Sequence, residues 1–533
     1  NHTRRTHPTM TATMMRLTSR AIRPPSLSLA RCFSTRFIQT SNSFQDNIPV
    51  SAFVENQGRS VVLCNQYHDD IELEAPWLWS NDAKWIHPTS GQRLKTPADY
   101  PGSTVQNVRL LSPGDATISS AAGDNNVIKP PPPRNSCHSG GGIYTSKQED
   151  ASDEDLVLEV EWQDSSEAPS YYHVNWLLER ALPKPNTEIT SQQGLRRNDE
   201  LPQVEYGALE HDETTLLDLY SALFQHGAVM VRNCPTPRYS SDDDDKKNEE
   251  DTTPSAVVGK LLAGSLSHGA LYGDIFHVQT MPDAHNLAYT SVGLPPHQDL
   301  SYYESPPGMQ LLHCVEKRNI MGGESLLVDG LAASHKLKEL APDLFEILTT
   351  TNATFCKQRE GADMVAYWPH IQLSTTNEIV GINWSPPFEG PLQLRSDAEA
   401  SSSSSSSSQA PSVNDYYTAY TAFARLVDKN RSSEEHNHHH ALSPQLCRSL
   451  KEYAEECTFE TLLEEGDMLV FNNRRMLHGR KPFEITGSNG GDGARHLVGT
   501  YTNMEETMNR YRVLMRKHGW RGGILNTGNG TKV

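Results

Sequence analysis

The sequence lacks the features that define four classes of protein. Its 533 residues include eight cysteines, but no two of them form a CxxC pair, which argues against a disulfide scaffold and against a thiolate zinc ribbon. No apolar run approaches the roughly 18 residues that a membrane-spanning helix needs, so an integral membrane protein is excluded. An excess of basic residues is also missing, since the net charge is −19, and this argues against a nucleic-acid partner. The length predicts two to four domains, the net charge fits a soluble enzyme, and the scattered cysteines suit a reducing compartment.

Acidic residues are absent from the first 45 positions, which contain seven arginines and many serines and threonines; the first carboxylate is Asp46. A short helix over part of this segment would place arginines on one side and Met, Leu and Ile on the other. These properties are typical of a mitochondrial transit peptide. We therefore predict that residues 1–45 direct the protein to the mitochondrial matrix, with a disordered basic tail and a cytoplasmic location as the alternative.

The rest of the chain is predicted to form two domains that are mainly β with flanking helices. Residues 46–195 contain short segments that alternate or run apolar, SVVLC, DIELE and DLVLEVEW, and these predict a small β-rich domain. Residues 196–533 form the larger domain, in which DETTLLDLYSALFQHG predicts a helix ending at Gly227 and AVMVRNC predicts a buried strand. Low-complexity inserts near 240–255, 399–411 and 431–440 are predicted to be solvated loops.

A metal site is indicated by GLPPHQDLSYYESPPG together with FNNRRMLHGR. His297 and Asp299 are two residues apart in a segment predicted to be extended, so their side chains would point to the same face. With His478 they would supply the 2-His-1-carboxylate triad of a non-haem Fe(II) site, which leaves coordination positions open. Arg495 follows His478 by 17 residues and could bind a carboxylate through two parallel hydrogen bonds. Each of these residues could alone be an ordinary surface or core residue.

The long stretches PPHQDLSYYESPPGMQLLHC, GGESLLVDG, FNNRRMLHGRKPFE and RHLVGTYTNMEETMNRYRVL resemble the 2-oxoglutarate-dependent dioxygenases of the taurine dioxygenase superfamily. The resemblance implies a double-stranded β-helix (jelly roll) as the catalytic domain. It also implies that His297, Asp299 and His478 bind Fe(II) and that Arg495 holds the distal carboxylate of the cosubstrate 2-oxoglutarate. Ser325 matches a residue that assists this carboxylate, and ascorbate is the implied reductant.

Within the superfamily the chain resembles the branch that hydroxylates gamma-butyrobetaine, a small trimethylammonium carboxylate. The resemblance implies an aromatic cage that attracts the cation through the faces of its rings, formed by Tyr272, Phe276, Tyr289 and Tyr501. It also implies that Asn286 and Ser385 bind the substrate carboxylate, although Ser385 is shorter than the asparagine that relatives have there. The alternatives are a trimethyllysine dioxygenase, which would share the iron and 2-oxoglutarate residues, and a non-catalytic binding protein on a jelly-roll fold.

The N-terminal domain departs from the family pattern, in which three cysteines and a histidine bind zinc. The matching stretch PWLWSNDAKWIHPTSGQRL has no cysteine, the histidine position corresponds to Ala168, and His87 remains without thiolate partners. We therefore expect no structural zinc, and expect Trp77, Trp79, Trp85 and Trp162 to form a core instead. Relatives are dimers, so the resemblance also implies a homodimer.

Overall fold

The computed structural model describes most of the chain from residue 50 to residue 519. The described residues are 50–111 except 66, 67, 88, 89 and 91; 156–174 except 165; 177; 194–236; 252–267; 271–279; 290–359; 361–374; 377–393; 411–432; 442–486; and 493–519. The predicted targeting segment 1–45 lies outside them and stays a prediction.

The chain divides into two compact units, and the division falls between Tyr171 and Tyr172. In the described residues the first unit comprises 50–86, 93–111 and 156–171, and the second comprises 87, 90 and 92 together with all the described residues from 172 onward. The sequence analysis placed the boundary between the two domains at 195/196, further along the chain. The observed division lies within a strand, Ser170–His173, rather than in a linker.

The first unit contains two small antiparallel sheets. One orders β1 (Val50–Glu55), β2 (Ser60–Asn65) and β3 (His68–Glu74) side by side, and helix α1 (Ala75–Ser80) follows β3 directly. The other orders β4 (Val105–Leu111), β5 (Val157–Trp162) and β6 (Ser170–His173). The strands predicted from SVVLC, DIELE and DLVLEVEW are thus confirmed as β2, β3 and β5.

Tryptophan packing stabilises the first unit, as expected from the sequence. Trp79 and Trp162 are buried, whereas Trp77 and Trp85 are half-buried. The rings of Trp79 and Trp85 lie 5.0 Å apart, and the ammonium group of Lys95 lies 3.8 Å from the centre of the Trp85 ring. His87 is exposed. A cation–aromatic contact of this kind adds to the apolar burial that holds a small domain together.

The second unit is built around two sheets that enclose a cavity. The larger sheet has the order β7 (Gln203–Glu205), β8 (Ala228–Arg232), β19 (Met468–Asn472), β11 (Met309–Arg318), β22 (Ala494–Thr502) and β9 (Phe276–Gln279). The smaller sheet has the order β10 (Leu294–His297), β20 (Met476–Arg480), β13 (Ser325–Asp329) and β18 (Phe459–Thr461). This arrangement is consistent with the predicted jelly roll.

Three two-stranded sheets complete the strands of this unit. They pair β12 (Ile320–Gly322) with β21 (Phe483–Ile485), β14 (Asn352–Arg359) with β15 (Ala362–Pro369), and β16 (Ile371–Leu373) with β17 (Ile379–Ile382). The helices are α2 (Tyr206–Leu209), α3 (Glu213–His226), α4 (Pro254–Ala263), α5 (Gly330–Leu340), α6 (Pro342–Thr350), α7 (Val413–Val427), α8 (Lys429–Ser432), α9 (Pro444–Cys457) and α10 (Met504–Lys517).

Helix α3 and strand β8 show why the local sequence folds as predicted. The Asp212 side chain accepts a hydrogen bond from the Thr214 N–H and caps the start of the helix. Gly227 ends it with φ of 81°, a left-handed conformation that glycine adopts at low cost. The next residues are buried on both faces and form β8.

Successive side chains of β11 point to opposite faces of the larger sheet, one covered by helices and the other facing the cavity. Met309 and Leu311 pack in a core with residues of α3 and α10, whereas Gln310 and Leu312 line the cavity. The period-2 direction of strand side chains produces this division. The larger sheet therefore presents one apolar face to helices and one mixed face to the cavity.

The predicted inserts fall mainly outside the described residues, and their ends need correction. Thr253 caps α4 through its side chain, so the insert predicted at 240–255 overlaps the first turn of a helix. Arg431 and Ser432 belong to α8, within the insert predicted at 431–440. Among the described residues, no helix combines the length and apolar character required to cross a membrane.

Candidate metal centre and the cavity around it

His297 and His478 are brought together by the pairing of β10 with β20. The two strands are antiparallel, and His297 stands directly opposite His478. Gly479 makes this pairing possible, because a Cβ atom at that position would lie 2.6 Å from the carbonyl oxygen of Leu294. The two imidazole ring centres are 4.4 Å apart.

Asp299 reaches the same point by a different route from the one predicted. It lies in the turn after β10, not on the strand, and Leu300 beside it has φ of 58°. The turn, rather than strand alternation, directs the carboxylate toward the histidines. Asp299 Oδ1 lies 3.4 Å from His297 Nε2, and Asp299 Oδ2 lies 3.7 Å from His478 Nε2.

The protonation pattern of the cluster suits a divalent cation. The Nδ1–H group of His297 donates to the Pro295 carbonyl at 2.9 Å, which leaves the Nε2 lone pair facing Asp299. Burial and the neighbouring His297 lower the pKa of His478 to about 3, so its imidazole is neutral. Burial alone would raise the pKa of Asp299, but the two histidines and a hydrogen bond hold it below its usual range. Burial would lower the pKa of His297, but the hydrogen bond and charge of Asp299 raise it, so this ring would give up its proton when a metal binds. One carboxylate and two imidazoles are thus available as ligands.

Asp299 is held in place by two residues that the sequence analysis missed, Gln310 and Asn473, and by Tyr501, which it expected only as a cage residue. The Gln310 amide and the Tyr501 hydroxyl each donate to Asp299 Oδ2 at 2.8 Å. Asn473 accepts from the Asp299 N–H at 3.0 Å and donates to the Asp299 carbonyl at 3.1 Å. These contacts leave Oδ1 available to a metal. Only the position of Asn473 in the stretch FNNRRMLHGR, shortly before His478, could have suggested a role from sequence.

The donor set fits an Fe(II) ion with open coordination positions. His297, Asp299 and His478 each offer one ligand atom, and these three atoms lie within 4.8 Å of one another. Among the described residues, no other three histidine, cysteine or carboxylate side chains come together in this way. Two imidazoles and one carboxylate on one side of a metal are the ligands of non-haem iron oxygenases.

A cavity of about 240 Å³ lies beside the three ligands and is lined by both sheets. Arg495 on β22 and Ser325 on β13, the residues expected to bind 2-oxoglutarate, line it, and that role stays a prediction. Arg480 on β20, which the sequence analysis did not name, lines it too. The guanidinium groups of Arg480 and Arg495 lie 5.0 Å and 5.8 Å from the centre of the same ring, Phe483. Burial and the charge of Arg495 lower the pKa of Arg480 to about 10. The cavity therefore offers strong positive charge beside the ligand cluster, suited to an anionic cosubstrate.

Three of the expected cage residues line the same cavity: Tyr272, Phe276 and Tyr501. The rings of Phe276 and Tyr501 stack with centres 4.9 Å apart, and Tyr272 lies 6.5 Å from Phe276. Gly499 provides the space for Phe276, because a Cβ atom there would lie 2.2 Å from that ring. Tyr501 thus both lines the cavity and orients Asp299.

Two expected substrate residues, Asn286 and Tyr289, lie outside the described residues and stay predictions. Ser385 is fully buried, does not line the cavity, and its hydroxyl has no hydrogen-bond partner. Its expected contact with a substrate carboxylate is therefore not supported by this geometry, because the residue lies at the start of a short 3-10 helix, Pro386–Phe388, with its side chain turned into the protein. Two later residues of that segment, Pro387 and Phe388, line the cavity instead.

The profile of the family described as "Taurine catabolism dioxygenase TauD, TfdA family" matches residues 189–501, more than half of the chain. The chain belongs to this family. The match covers all the ligand and cavity residues described above, so the resemblance inferred from the sequence is confirmed at the level of the family of iron- and 2-oxoglutarate-dependent dioxygenases.

Three individual relatives are 26–30% identical to this chain over the parts that match. A gamma-butyrobetaine dioxygenase from Pseudomonas sp. (strain AK-1) is 28% identical over 68% of this chain and 80% of its own length. Dioxygenase str8 from Strobilurus tenacellus is 30% identical over 46% of this chain and 48% of its own length. Mitochondrial trimethyllysine dioxygenase from Gallus gallus is 26% identical over 47% of this chain and 50% of its own length. The chain thus spans about half the length of two of these three relatives.

Among solved structures, an asparagine oxygenase in complex with Fe(II), 2S,3S-3-hydroxyasparagine and succinate is similar to 56% of this chain and 83% of its own. Its TM-score is 0.36 and its sequence identity is 14%.

Proposed function

We propose that the protein hydroxylates gamma-butyrobetaine at C3 to give L-carnitine, coupled to the conversion of 2-oxoglutarate and O₂ to succinate and CO₂. The observation that carries this proposal is the convergence of three groups in one cavity: the His297, Asp299 and His478 ligands, the Arg495 guanidinium and a set of aromatic rings. The relative from Pseudomonas named gamma-butyrobetaine dioxygenase supports the choice of substrate.

The side chains of this protein position the reactants rather than react with them. His297, Asp299 and His478 would hold Fe(II), which together with 2-oxoglutarate supplies the chemistry that inserts one oxygen atom of O₂ into a C–H bond. Arg495 would bind the distal carboxylate of 2-oxoglutarate, with Ser325 beside it. Tyr272, Phe276 and Tyr501 would face the trimethylammonium group and place one carbon of the substrate against the metal.

Burial of the site favours this positioning. The Tyr501 hydroxyl keeps its proton, since burial and the charge of Asp299 raise its pKa well above the usual value. It therefore donates to Asp299 throughout the ordinary pH range. The apolar walls formed by Leu294, Leu312 and Leu497 limit the access of water to the reacting centre.

The decisive experiment measures succinate formation from 2-oxoglutarate with Fe(II) and ascorbate, the proposed reductant, in the presence of gamma-butyrobetaine or trimethyllysine. Faster turnover with gamma-butyrobetaine, with L-carnitine as product, would support the proposal. Preferential turnover of trimethyllysine, which the similarity to the chicken enzyme keeps as the second candidate, would replace it. No turnover of either substrate would favour a non-catalytic binding protein.

Three further proposals accompany this function and depend on separate measurements. We propose a mitochondrial matrix location from the arginine-rich segment 1–45, to be checked by import into isolated mitochondria. We propose a homodimer, to be checked by light scattering. We propose that no zinc is bound, because the segment around His87 contains no cysteine, to be checked by elemental analysis of the purified protein.

A further inference from the structure

The part of the cavity wall that carries the two arginines packs on a single buried ring. The guanidinium group of Arg480 lies 5.0 Å from the centre of the Phe483 ring, and that of Arg495 lies 5.8 Å from it. Phe483 is 4% exposed and does not itself line the cavity, whereas both arginines do. Any influence of this ring on a ligand in the cavity must therefore pass through the arginines.

The two arginines are held in different ways. One amino group of Arg480 donates to the carbonyls of Thr290 at 2.5 Å and Val292 at 2.7 Å. The guanidinium group of Arg495 has no hydrogen bond or ion pair to another described residue, and its contact with an aromatic ring is the one with Phe483. A guanidinium group is attracted to a ring face, and more strongly so when both are buried. The position of Arg495 therefore depends on Phe483.

The backbone beside Phe483 allows a close approach to this ring. Phe483 begins β21 and stands opposite Gly322 in the pairing with β12. The N–H group of Gly323 donates to the Pro482 carbonyl at 3.1 Å. Gly323 has φ of 78°, and a Cβ atom there would lie 3.3 Å from the Cβ atom of Phe483 and 3.7 Å from Nε of Arg495. One turn of the chain thus contacts both the ring and the guanidinium group.

The same turn leads to the other residue expected at the cosubstrate. Ser325 begins β13 two residues after Gly323, and it stands directly opposite Arg480 in the pairing of β13 with β20. Ser325, Arg480 and Arg495 all line the cavity. Phe483 is therefore placed behind the region where the groups suited to a distal carboxylate come together.

We infer that Phe483 is a positioning residue for the cosubstrate; this rests on the proposed function. Its ring holds the guanidinium group of Arg495 in place to bind the second carboxylate of a 2-oxo acid, so that the site prefers a dicarboxylate to a monocarboxylate. An aliphatic side chain would fill much of the same space but would lack the ring face that attracts the cation. The contribution of the ring should appear only with a ligand that carries the second carboxylate.

The first test measures binding without turnover. Calorimetry with the full chain loaded with Mn(II) gives the Kd of 2-oxoglutarate and of 2-oxopentanoate, in which a methyl group replaces the distal carboxylate. The proteins are the parent, the ring-free variants Phe483→Leu and Phe483→Met, the ring-retaining variant Phe483→Tyr, and the control Phe345→Leu. Phe345 is also buried, lies 5.3 Å from the Lys338 ammonium group and does not line the cavity.

Both ring-free variants are expected to raise the Kd of 2-oxoglutarate about 3- to 30-fold and to leave the Kd of 2-oxopentanoate unchanged. Phe483→Tyr should retain most of the affinity for 2-oxoglutarate, and Phe345→Leu should change neither value. Because the two ligands are compared within each protein, a general loss of folded protein would not alter the preference for the dicarboxylate.

The second test asks whether Phe483 acts through Arg495. If it does, adding Phe483→Leu to Arg495→Met should leave the Kd of 2-oxoglutarate within about twofold of the Arg495→Met value. A full additive loss would overturn the inference. So would equal weakening of both ligands, an unchanged Kd for 2-oxoglutarate, or failure of both ring-free variants to fold, and none of these results would affect the proposed function. A parent protein that bound 2-oxoglutarate no more tightly than 2-oxopentanoate would overturn both.

Discussion

The second unit contains two histidine pairs, one beside the cavity and one on the outer face of the larger sheet, and the pairs differ in what their nitrogen atoms contact. His297 and His478 face Asp299 at 3.4 Å and 3.7 Å. On the outer face of the larger sheet, His277 Nδ1 lies 2.8 Å from His496 Nε2, and the Gln279 amide lies 2.9 Å from His496 Nδ1. The inner pair, His297 and His478, thus faces a carboxylate. In the outer pair, His277 and His496, the two rings contact each other and His496 also contacts an amide.

The comparison shows that a histidine pair becomes a metal site through its partners rather than through its spacing. Both nitrogens of His496 take part in hydrogen bonds within the protein, so no lone pair remains for a metal. Burial, His277 and His313 lower the pKa of His496 to about 4, which keeps it neutral without a carboxylate. In the inner pair the backbone holds only Nδ1 of His297 and leaves Nε2 to the metal.

The largest effect should come from removing a ligand of the inner pair. His297→Ala is expected to abolish both Fe(II) retention after dialysis and succinate formation, because two ligands cannot hold the ion against water. His277→Ala, in the outer pair, should retain both. Metal content by elemental analysis and a succinate assay check this. Equal retention of iron in the two variants would show that His297 is not a ligand.

Arg495→Met should have the next largest effect, on the cosubstrate rather than on the metal. Loss of a charge-assisted pair with a carboxylate is expected to raise the KM for 2-oxoglutarate about 10- to 100-fold while iron content stays normal. Arg318→Met is the control, since Arg318 is exposed on the neighbouring strand β11. A KM that did not change in Arg495→Met would move the cosubstrate site elsewhere, with Arg480 as the first alternative.

Tyr501→Phe should give a smaller effect and separates the two roles of this residue. The variant removes the hydroxyl that donates to Asp299 and keeps the ring that stacks on Phe276 at 4.9 Å. We expect Fe(II) affinity to fall about tenfold, as is typical when a partner of a metal ligand is lost. The KM for the substrate should change little, because the ring face remains. A large rise in that KM with unchanged iron affinity would contradict the orienting role.

The smallest effect concerns Glu389, a half-buried carboxylate that contrasts with Asp299. Burial raises the pKa of Glu389 to about 7, against the lowering influence of Tyr420 and Arg431, because no histidine cluster faces it. The folded state therefore prefers protonated Glu389, so this stabilisation is present at low pH and is lost as pH rises from about 4.5 to about 7.

Glu389→Gln tests this contrast by thermal unfolding. The difference in the free energy of unfolding, variant minus parent, should be about 1–3 kcal/mol larger at pH 8 than at pH 5. The reason is that at pH 8 only the parent protein has to bury a charge at this position. The melting temperature measured at the two pH values checks the sign. A difference of the opposite sign would mean that Glu389 is stabilised as an anion.

Local patterns predicted much of the framework and the ligands. Alternating segments gave β2, β3 and β5, and the pattern of DETTLLDLYSALFQHG gave α3 with its end at Gly227. The order of His297, Asp299, His478 and Arg495 predicted residues that do line one site. The geometry of Asp299 was predicted wrongly, because strand alternation says nothing about a turn that begins after His297.

The remaining site residues could not be found from local pattern. Asn473 contacts Asp299 across 174 residues of sequence. Tyr501 was expected as a cage residue from the resemblance, but its hydrogen bond to Asp299, across 202 residues, was not. Lys357 lies on a strand whose side chains alternate without any signal that one of them lines a cavity. The resemblance placed Ser385 at the substrate carboxylate. In the structure Phe388, at the end of the short 3-10 helix that follows Ser385, lines the cavity instead.

The order of residues along the chain by itself determined which chemical groups are available: two imidazoles, a carboxylate, a guanidinium and several aromatic rings. Tertiary structure decided which of them meet, because strand pairing and a single turn set distances of a few ångströms between groups far apart in sequence. Desolvation and hydrogen bonding at these distances determine charge and metal affinity, and neither quantity can be read from residue identity.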